Sequence, residues 1–333
     1  MKEKTFKKIL VVFGMGDYTS EDVTAVFKCR DAVLNSLSAL GYFAECFGIR
    51  KNIFISSPQS FITKIRDISP DCVFNLFEGF PGRPESESTF VRMLEKEKIP
   101  FTGNNSAALE TCLDKHKTKK ILAENGIKTP AGALIKNIAA LSPETYFFPV
   151  FVKPAFEDAS VGIDEISLAL TPEELRDALK TKLKCFPGGL IVEEFIPGKE
   201  FNAAFLGDYP YENLGISLMD HEEHADCPSY LNFSSKWKEN TTEYKKLMPR
   251  VLDKKDPEYR NDIIDISRRA AKAVGCTKYF RVDLREKNGE LYVLDINPNP
   301  DISPDSGLIR QAASLGMDYT NVISEILCNA NRS

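Results

Sequence analysis

Apolar and polar positions alternate with a long period over the first hundred residues. Ile9–Phe13, Tyr42–Phe47 and Cys72–Phe77 are short apolar runs, the pattern of buried strands. Asp22–Leu40, Phe61–Ile68 and Glu87–Glu97 carry apolar residues at helical spacing, the first of them stopping at Gly41. Strands alternating with helices imply parallel βαβ units, so an N-terminal α/β domain is expected over residues 1–103.

After Gly103 the rhythm changes. Ser106 is expected to cap a helix that runs through Leu113 and on toward Asn125-Gly126. Tyr146–Ala155 ("YFFPVFVKPA") reads as a strand, and "DASVGIDEISLAL" as a loop leading into another. Thr171-Pro172-Glu173-Glu174 is a helix start, with Thr at the cap, Pro at the first position and Glu at the third. These elements predict a small α+β unit over residues 104–189. The remainder, 190–333, predicts strands in "LIVEEFI" and "EFNAAFLGD" and a polar loop around His221–Asn240. A helix over Pro257–Val274, a hairpin "YFRVDLREKNGELYVLDINPNP" and a last helix near Tyr319–Asn329 follow.

Composition adds limits. The 333 residues exceed one typical core, and 43% hydrophobic with 27% charged residues is ordinary for globular domains. A net charge of −5 argues against nucleic acid as the main partner. No stretch approaches the ~20 apolar residues of a membrane span. The run Ile9–Phe13 is also too short for a secretory signal. Eight cysteines stand singly, without a CxxC pair, and read as reduced thiols, mostly buried, in a cytoplasmic protein.

The hairpin carries the first candidate chemistry. Alternation puts Arg281 and Asp283 on one face of its first strand, with Phe280, Val282 and Leu284 on the other. In the second strand the same alternation groups Asp295 and Asn297 with Leu291 and Val293. If the two polar faces coincide, Asp283, Asp295 and Asn297 converge. Two carboxylates and an amide oxygen suit Mg²⁺, which also binds substrate phosphates. The alternative is a solvated hairpin end.

Parity decides between them. A two-residue Asn288-Gly289 turn would pair Lys287 with Glu290 and set Asp283 opposite Leu294. Asp283 would then point away from Asp295 and Asn297. Convergence therefore requires a three-residue loop closed by a left-handed Gly289, or a bulge before Asp295.

Other candidates are individually weak. Lys153 ends a strand just before the small-residue loop "ASVG", whose backbone N–H groups could approach phosphate. Lys115 and Lys236 would each, taken alone, be surface charges. His221, His224 and Cys227 have a spacing that could place them on one helix face for zinc, but they fall in a polar stretch without an evident fourth ligand.

Taken together and in order, these stretches resemble the ATP-grasp carboxylate–amine ligases, most closely the D-alanine–D-alanine ligases. The resemblance rests on "KIPFTGNNSAALETCLDKHKTKKILAENGIKTP", "FVKPAFEDASVGID", "IVEEFIPGKEFNAAFLGD", "NFSSKW" and "FRVDLREKNGELYVLDINPNPDISPDSGLIRQAASLGMDY". It implies an ATP-grasp fold: an N-terminal α/β domain plus two α+β subdomains clasping the nucleotide. It implies ATP and Mg²⁺, with Mn²⁺ as a substitute, small-molecule carboxylate and amine substrates, and a homodimer.

Roles follow by position. Lys115 and Lys153 match lysines that hold ATP phosphates, and Ser160 the serine of the closing loop. Glu193, Glu194 and Ile196 match the adenine-binding linker, and Glu200 the ribose-binding acid. Lys236, followed by Trp237, matches the lysine of a lid over Leu231–Thr242. Asp283, Asp295 and Asn297 match the metal ligands, and Arg281 the residue that stabilises the tetrahedral intermediate. Glu21 or Asp22 would meet the first amino acid; Ser306 and Gly307 would meet the second.

The chain departs from the pattern around Gly14–Val23, Glu78–Ser88 and Pro298–Gly307, all of them expected in amino-acid recognition. Substrates other than D-alanine are therefore expected. Two variants of the reading remain at this point: a ligase that attaches an amino acid to a non-peptide acceptor, and an ATP-binding protein that does not ligate.

Overall fold

The computed structural model describes residues 6–16, 20–158, 160–219 and 249–330, without the side chains of residues 20–24 and 140. His221, His224, Cys227, Lys236 and Trp237, and with them the candidate zinc residues and the expected lid, lie outside the described residues.

Three sheets organise the chain. The first has the order β2-β1-β3, all parallel, from β1 (Lys8–Met15), β2 (Phe43–Arg50) and β3 (Cys72–Leu76). Strand β1 is buried on both faces, which explains its unbroken apolar run. Ile9 and Val11 pack against helices Ser20–Ala39 and Tyr319–Cys328 through Val33, Leu37, Val322 and Ile326. Leu10 and Val12 pack on the other side against helices Gln59–Ile68 and Glu85–Lys96 through Ile62, Ile65, Phe90 and Leu94. The last helix of the chain thus closes the core of the first sheet.

The second sheet, β4-β7-β5-β6, is antiparallel: β4 (Gly132–Ile135), β5 (Val150–Pro154), β6 (Leu168–Ala169) and β7 (Leu190–Glu194). Helix Pro172–Cys185 covers it with Leu175, Ala178 and Leu179. Its start forms as the sequence predicts: the Thr171 side chain accepts from the Glu174 N–H at 3.2 Å, and Glu174 accepts from the Leu170 N–H at 2.7 Å.

The third sheet has the order β10-β9-β8-β11-β12 and is also antiparallel. It comprises β8 (Glu200–Leu206), β9 (Glu212–Met219), β10 (Arg250–Val251), β11 (Tyr279–Lys287) and β12 (Glu290–Pro298). One face packs on helix Asn261–Ala273 through Ile263, Ala270 and Ala271, meeting Phe201, Ala203, Val282 and Leu284.

Several expectations are corrected. The helix expected from Ser106 to Asn125 is two helices, Ser106–Leu113 and Lys115–Glu124, because Asp114 adopts an extended conformation and caps the second by accepting from the Lys117 N–H. The cap of the first is Asn105, while the Ser106 hydroxyl donates to Glu95 at 2.6 Å. The strand expected from Tyr146 begins only at Val150. The helix expected from Pro257 begins at Asn261. Strand β9 and helix Gly307–Ser314 are additions to the sequence reading. The seven described cysteines are free, but Cys46, Cys185 and Cys328 are exposed, against the expected burial.

The hairpin resolves its parity by a bulge. Asn288 (φ 55°) and Gly289 (φ 78°) form the two-residue turn, with Lys287 opposite Glu290 and Leu284 opposite Val293. The register then shifts, and Asp283 faces Asp295 while Arg281 faces Asn297. Leu294 is the extra residue. Strict alternation along β12 fails here: Leu291 and Val293 are in the core with Leu284, on the face away from Asp295 and Asn297.

The bulge yields a prediction about chain length. Deleting Leu294 removes the extra residue but keeps Asp283 opposite Asp295. Inserting one alanine beside it turns the two polar side chains toward the core unless a larger irregularity forms. ADP release is expected to survive, reduced, in the deletion and to vanish in the insertion; the reverse order would refute the bulge as the phase-setting element.

Candidate active site

One face of β11 presents Arg281, Asp283, Arg285 and Lys287 in succession. Asp283 is held from three sides. Arg281 donates to both its oxygens at 2.6 and 2.8 Å, Asn202 of β8 at 2.8 Å, and Asn297 of β12 at 2.9 Å. Burial opposes the Arg281 cation, but the adjoining Asp283 outweighs it and holds the guanidinium above its ordinary pKa.

Across the strand pair, Asp295 faces lysines from two other elements. Lys153 at the end of β5 lies 3.3 Å from it, and Lys115 at the start of its helix lies 3.7 Å away. Lys153 also approaches the backbone carbonyl of the bulged Leu294, at 3.5 Å. Burial would raise the Asp295 pKa; Lys115, Lys153 and Lys119 more than reverse that and lower it. Burial likewise works against the Lys153 ammonium, yet Asp295 and Glu193 hold it above its usual value. Lys119 behaves oppositely: burial dominates and lowers its pKa, although Glu193 is 2.5 Å away.

Beyond β7 the chain crosses to the third sheet through Phe195–Lys199. Glu193 is sandwiched between Lys119 and Lys153, at 2.5 and 3.0 Å. Glu194 pairs with Lys287 at 2.6 Å. The Ile196 carbonyl accepts from Arg285 at 2.9 Å, and the same guanidinium binds Glu200. Gly198 (φ 99°) passes so close to β11 that a Cβ there would sit 2.4 Å from the Glu286 carbonyl oxygen.

The expected residues divide into those gathered here and those elsewhere. Lys115, Lys153, Glu193, Glu194, Ile196, Glu200, Arg281, Asp283, Asp295 and Asn297 are gathered here by those contacts and by the register of β11 and β12. Ser160 stands in the loop after β5 with φ 63°, and Lys182 holds the end of that loop through the Gly162 carbonyl and Asp164, at 2.7 and 2.6 Å. Glu21 and Asp22 fall in the first turn of helix Ser20–Ala39, with undescribed side chains. Ser306 caps helix Gly307–Ser314 by accepting from the Ile309 N–H, so its hydroxyl has a structural duty there.

Lys119, Asn202, Arg285 and Lys182 escaped the sequence reading. Lys119 was the most findable, lying four residues after Lys115 on the same helix face. Asn202 and Arg285 become visible only through strand register.

Two carboxylates and an amide are donor types that suit a hard divalent cation, while here the Asp283 oxygens accept from Arg281, Asn202 and Asn297. Asp283 and Asp295 face each other, and Asn297 gives its N–H₂ to Asp283, which turns its amide oxygen elsewhere. Arg281 pairs with Asp283, and Lys115 and Lys153 with Asp295.

Two antiparallel sheets, with strand-end lysines of one facing a carboxylate-bearing hairpin of the other, are the arrangement of the ATP-grasp ligases, and the fold is of that class. Comparison with known proteins narrows this. The family description "D-ala D-ala ligase C-terminus" matches residues 125–328. The D-alanine–D-alanine ligase of a Marinomonas species is 30% identical over 331 residues, covering 98% of this chain and 97% of that protein. An uncharacterised protein of Sinorhizobium fredii is 32% identical over 262 residues, covering 78% of this chain and 74% of its own. The crystal structure of D-alanine–D-alanine ligase from Bacillus anthracis superposes with a TM-score of 0.76 at 23% identity, over 97% of both chains. The chain belongs to the D-alanine–D-alanine ligase family, and it is an ATP-dependent carboxylate–amine ligase. No helix among the described residues is long and apolar enough to cross a membrane.

Lys153→Met removes an ammonium shared by Asp295 and Glu193. Turnover is expected to fall about 10²–10³-fold, with a raised KM for ATP, the pattern that follows from losing an ammonium that neutralises phosphate charge. Steady-state ADP release checks it; a wild-type kcat would refute a phosphate-side role.

Gly198→Ala should lower thermal stability by about 1–3 kcal/mol, because neither the positive φ nor the β11 backbone can yield cheaply. A melting curve superimposable on wild type would show that the crossing relaxes freely.

Proposed function

We propose that this chain activates a small amino-acid carboxylate with ATP and joins it to an amine. The observation that carries the proposal is the convergence of Arg281, Asp283, Asp295 and Asn297 with Lys115 and Lys153 around one strand pair. The substrate carboxylate attacks the γ-phosphate of ATP, ADP leaves, and an acyl phosphate forms. The amine then attacks the acyl carbon, and the tetrahedral adduct expels phosphate.

Lys115 and Lys153 would bind the phosphate oxygens, and Ser160 and Lys236 would close over them. Glu193, Glu194 and Ile196 would frame the adenine, and Glu200 would take the ribose hydroxyls. Arg281 would balance the oxyanion of the adduct. Asp283, Asp295 and Asn297 would hold Mg²⁺, which when bound neutralises phosphate charge. Catalysis of this kind is mostly positioning and charge neutralisation.

The relatives' names make D-alanine the first substrate to test on both sides. A different acceptor is the second reading: the chain departs from the family pattern over Glu78–Ser88 and Pro298–Gly307, and an amine without a carboxylate, a non-peptide acceptor, is the alternative to test beside D-alanine.

ADP release measured against D- and L-amino acids, each alone and with carboxylate-free amines, tests both. Release that depends on an amino acid and rises with an added amine is expected, with D-alanine alone turning over slowly. Indifference to every amino acid would refute ligation, and fast turnover on D-alanine alone would refute the second reading.

A further inference from the structure

Arg285 is buried, yet the reaction has no need of it. Its side chain is 4% exposed and that of Glu200 is 11% exposed. Arg285 is the cross-strand neighbour of Glu200, since β11 and β8 pair at that position. Its Nε and Nη2 both donate to Glu200 Oε2, at 3.0 and 2.9 Å, and Nη1 donates to the Ile196 carbonyl at 2.9 Å. The guanidinium also lies 5.3 Å from the centre of the Phe195 ring. One planar group therefore fixes the acid that opens β8 and the linker residue that leads into it.

The surroundings close the remaining freedom of this segment. The Glu286 N–H donates to the Lys199 carbonyl at 3.0 Å, and Gly198 lies against the Glu286 carbonyl. A carboxylate can accept about four hydrogen bonds, so a guanidinium fork and a pair of ribose hydroxyls are compatible on one glutamate.

We propose that Arg285 is a positioning residue for the nucleotide: it presets the Glu200 carboxylate for the ribose hydroxyls and, through the Ile196 carbonyl, sets the linker that frames the adenine. The proposal rests on the reading of Glu200 as the ribose-holding acid. Pre-set groups bind without losing rotamer freedom on association, and this acts on ATP affinity rather than on the chemical step. Lysine cannot replace the fork, because its single ammonium lacks the planar set of donors that spans Glu200 and Ile196 together.

The test compares ATP with 2′-deoxyATP in wild type, Glu200→Gln, Arg285→Met and Arg285→Lys, reading KM, kcat and the ratio of kcat/KM between the two nucleotides. In Arg285→Met, KM for ATP is expected to rise about tenfold or more with a much smaller change in kcat, as loss of a charge-assisted hydrogen bond implies. Its preference for ATP over 2′-deoxyATP should fall toward that of Glu200→Gln. Arg285→Lys should give an intermediate preference, and it is the variant to read if Arg285→Met does not fold.

A wild-type preference in the arginine variants, with preference lost in Glu200→Gln, would overturn the role of Arg285 and leave the ribose assignment standing. A wild-type preference in Glu200→Gln would overturn the ribose assignment itself, and the positioning role with it. A fall in kcat without a change in KM or preference would mark Arg285 as merely structural and overturn the proposal.

Discussion

Two carboxylates opposed across one strand pair, Asp283 and Asp295, set the terms for everything around them. Both carboxylates are met by cations. Each takes its counter-charge from a different direction. Asp283 draws on Arg281 of its own strand, whereas Asp295 draws on Lys153 from the second sheet and on Lys115 from a helix start. The charge on the hairpin thereby ties together elements that are far apart in the chain. Such pairing is costly in desolvation and weak as a source of stability, so its value lies in the arrangement it imposes.

The same economy of position runs along β11. Successive side chains on one face make successive contacts, from Arg281 on Asp283 to Lys287 on Glu194. A strand supplies this order without any loop having to be ordered for it, because its side chains recur at a fixed rise on a fixed face. Rigid elements of this kind suit a reaction that depends on placement more than on proton transfer.

Much of this was legible in the sequence, and the exceptions have physical reasons. The apolar run of β1 announces itself because burial on both faces leaves it almost without polar interruption, and the starts of β3 and β7 read the same way until Asn75 and Glu193. The separation of helix Lys115–Glu124 from its predecessor was missed because Asp114 resembles a helix-surface acid until its side chain is seen to cap. In the hairpin, the need for a parity change could be derived, but not which of two devices would supply it. The grouping of Asp295 with Leu291 and Val293 was wrong for that reason. Arg285 and Asn202 act through cross-strand neighbours whose register is fixed by distant packing, so no local pattern pointed to them.

The bulge at Leu294 has a consequence for how the hairpin can misfold. A regular two-stranded ribbon can slide by steps that preserve its hydrogen bonds. This one carries a defect at a single point, and a slide of one residue would send Asp295 toward the apolar layer formed by Val282, Leu284 and Val293 while leaving the irregularity beside the wrong partner. The defect acts as a keyed joint: the two strands fit together in one phase, and the out-of-phase fits are penalised by a buried charge.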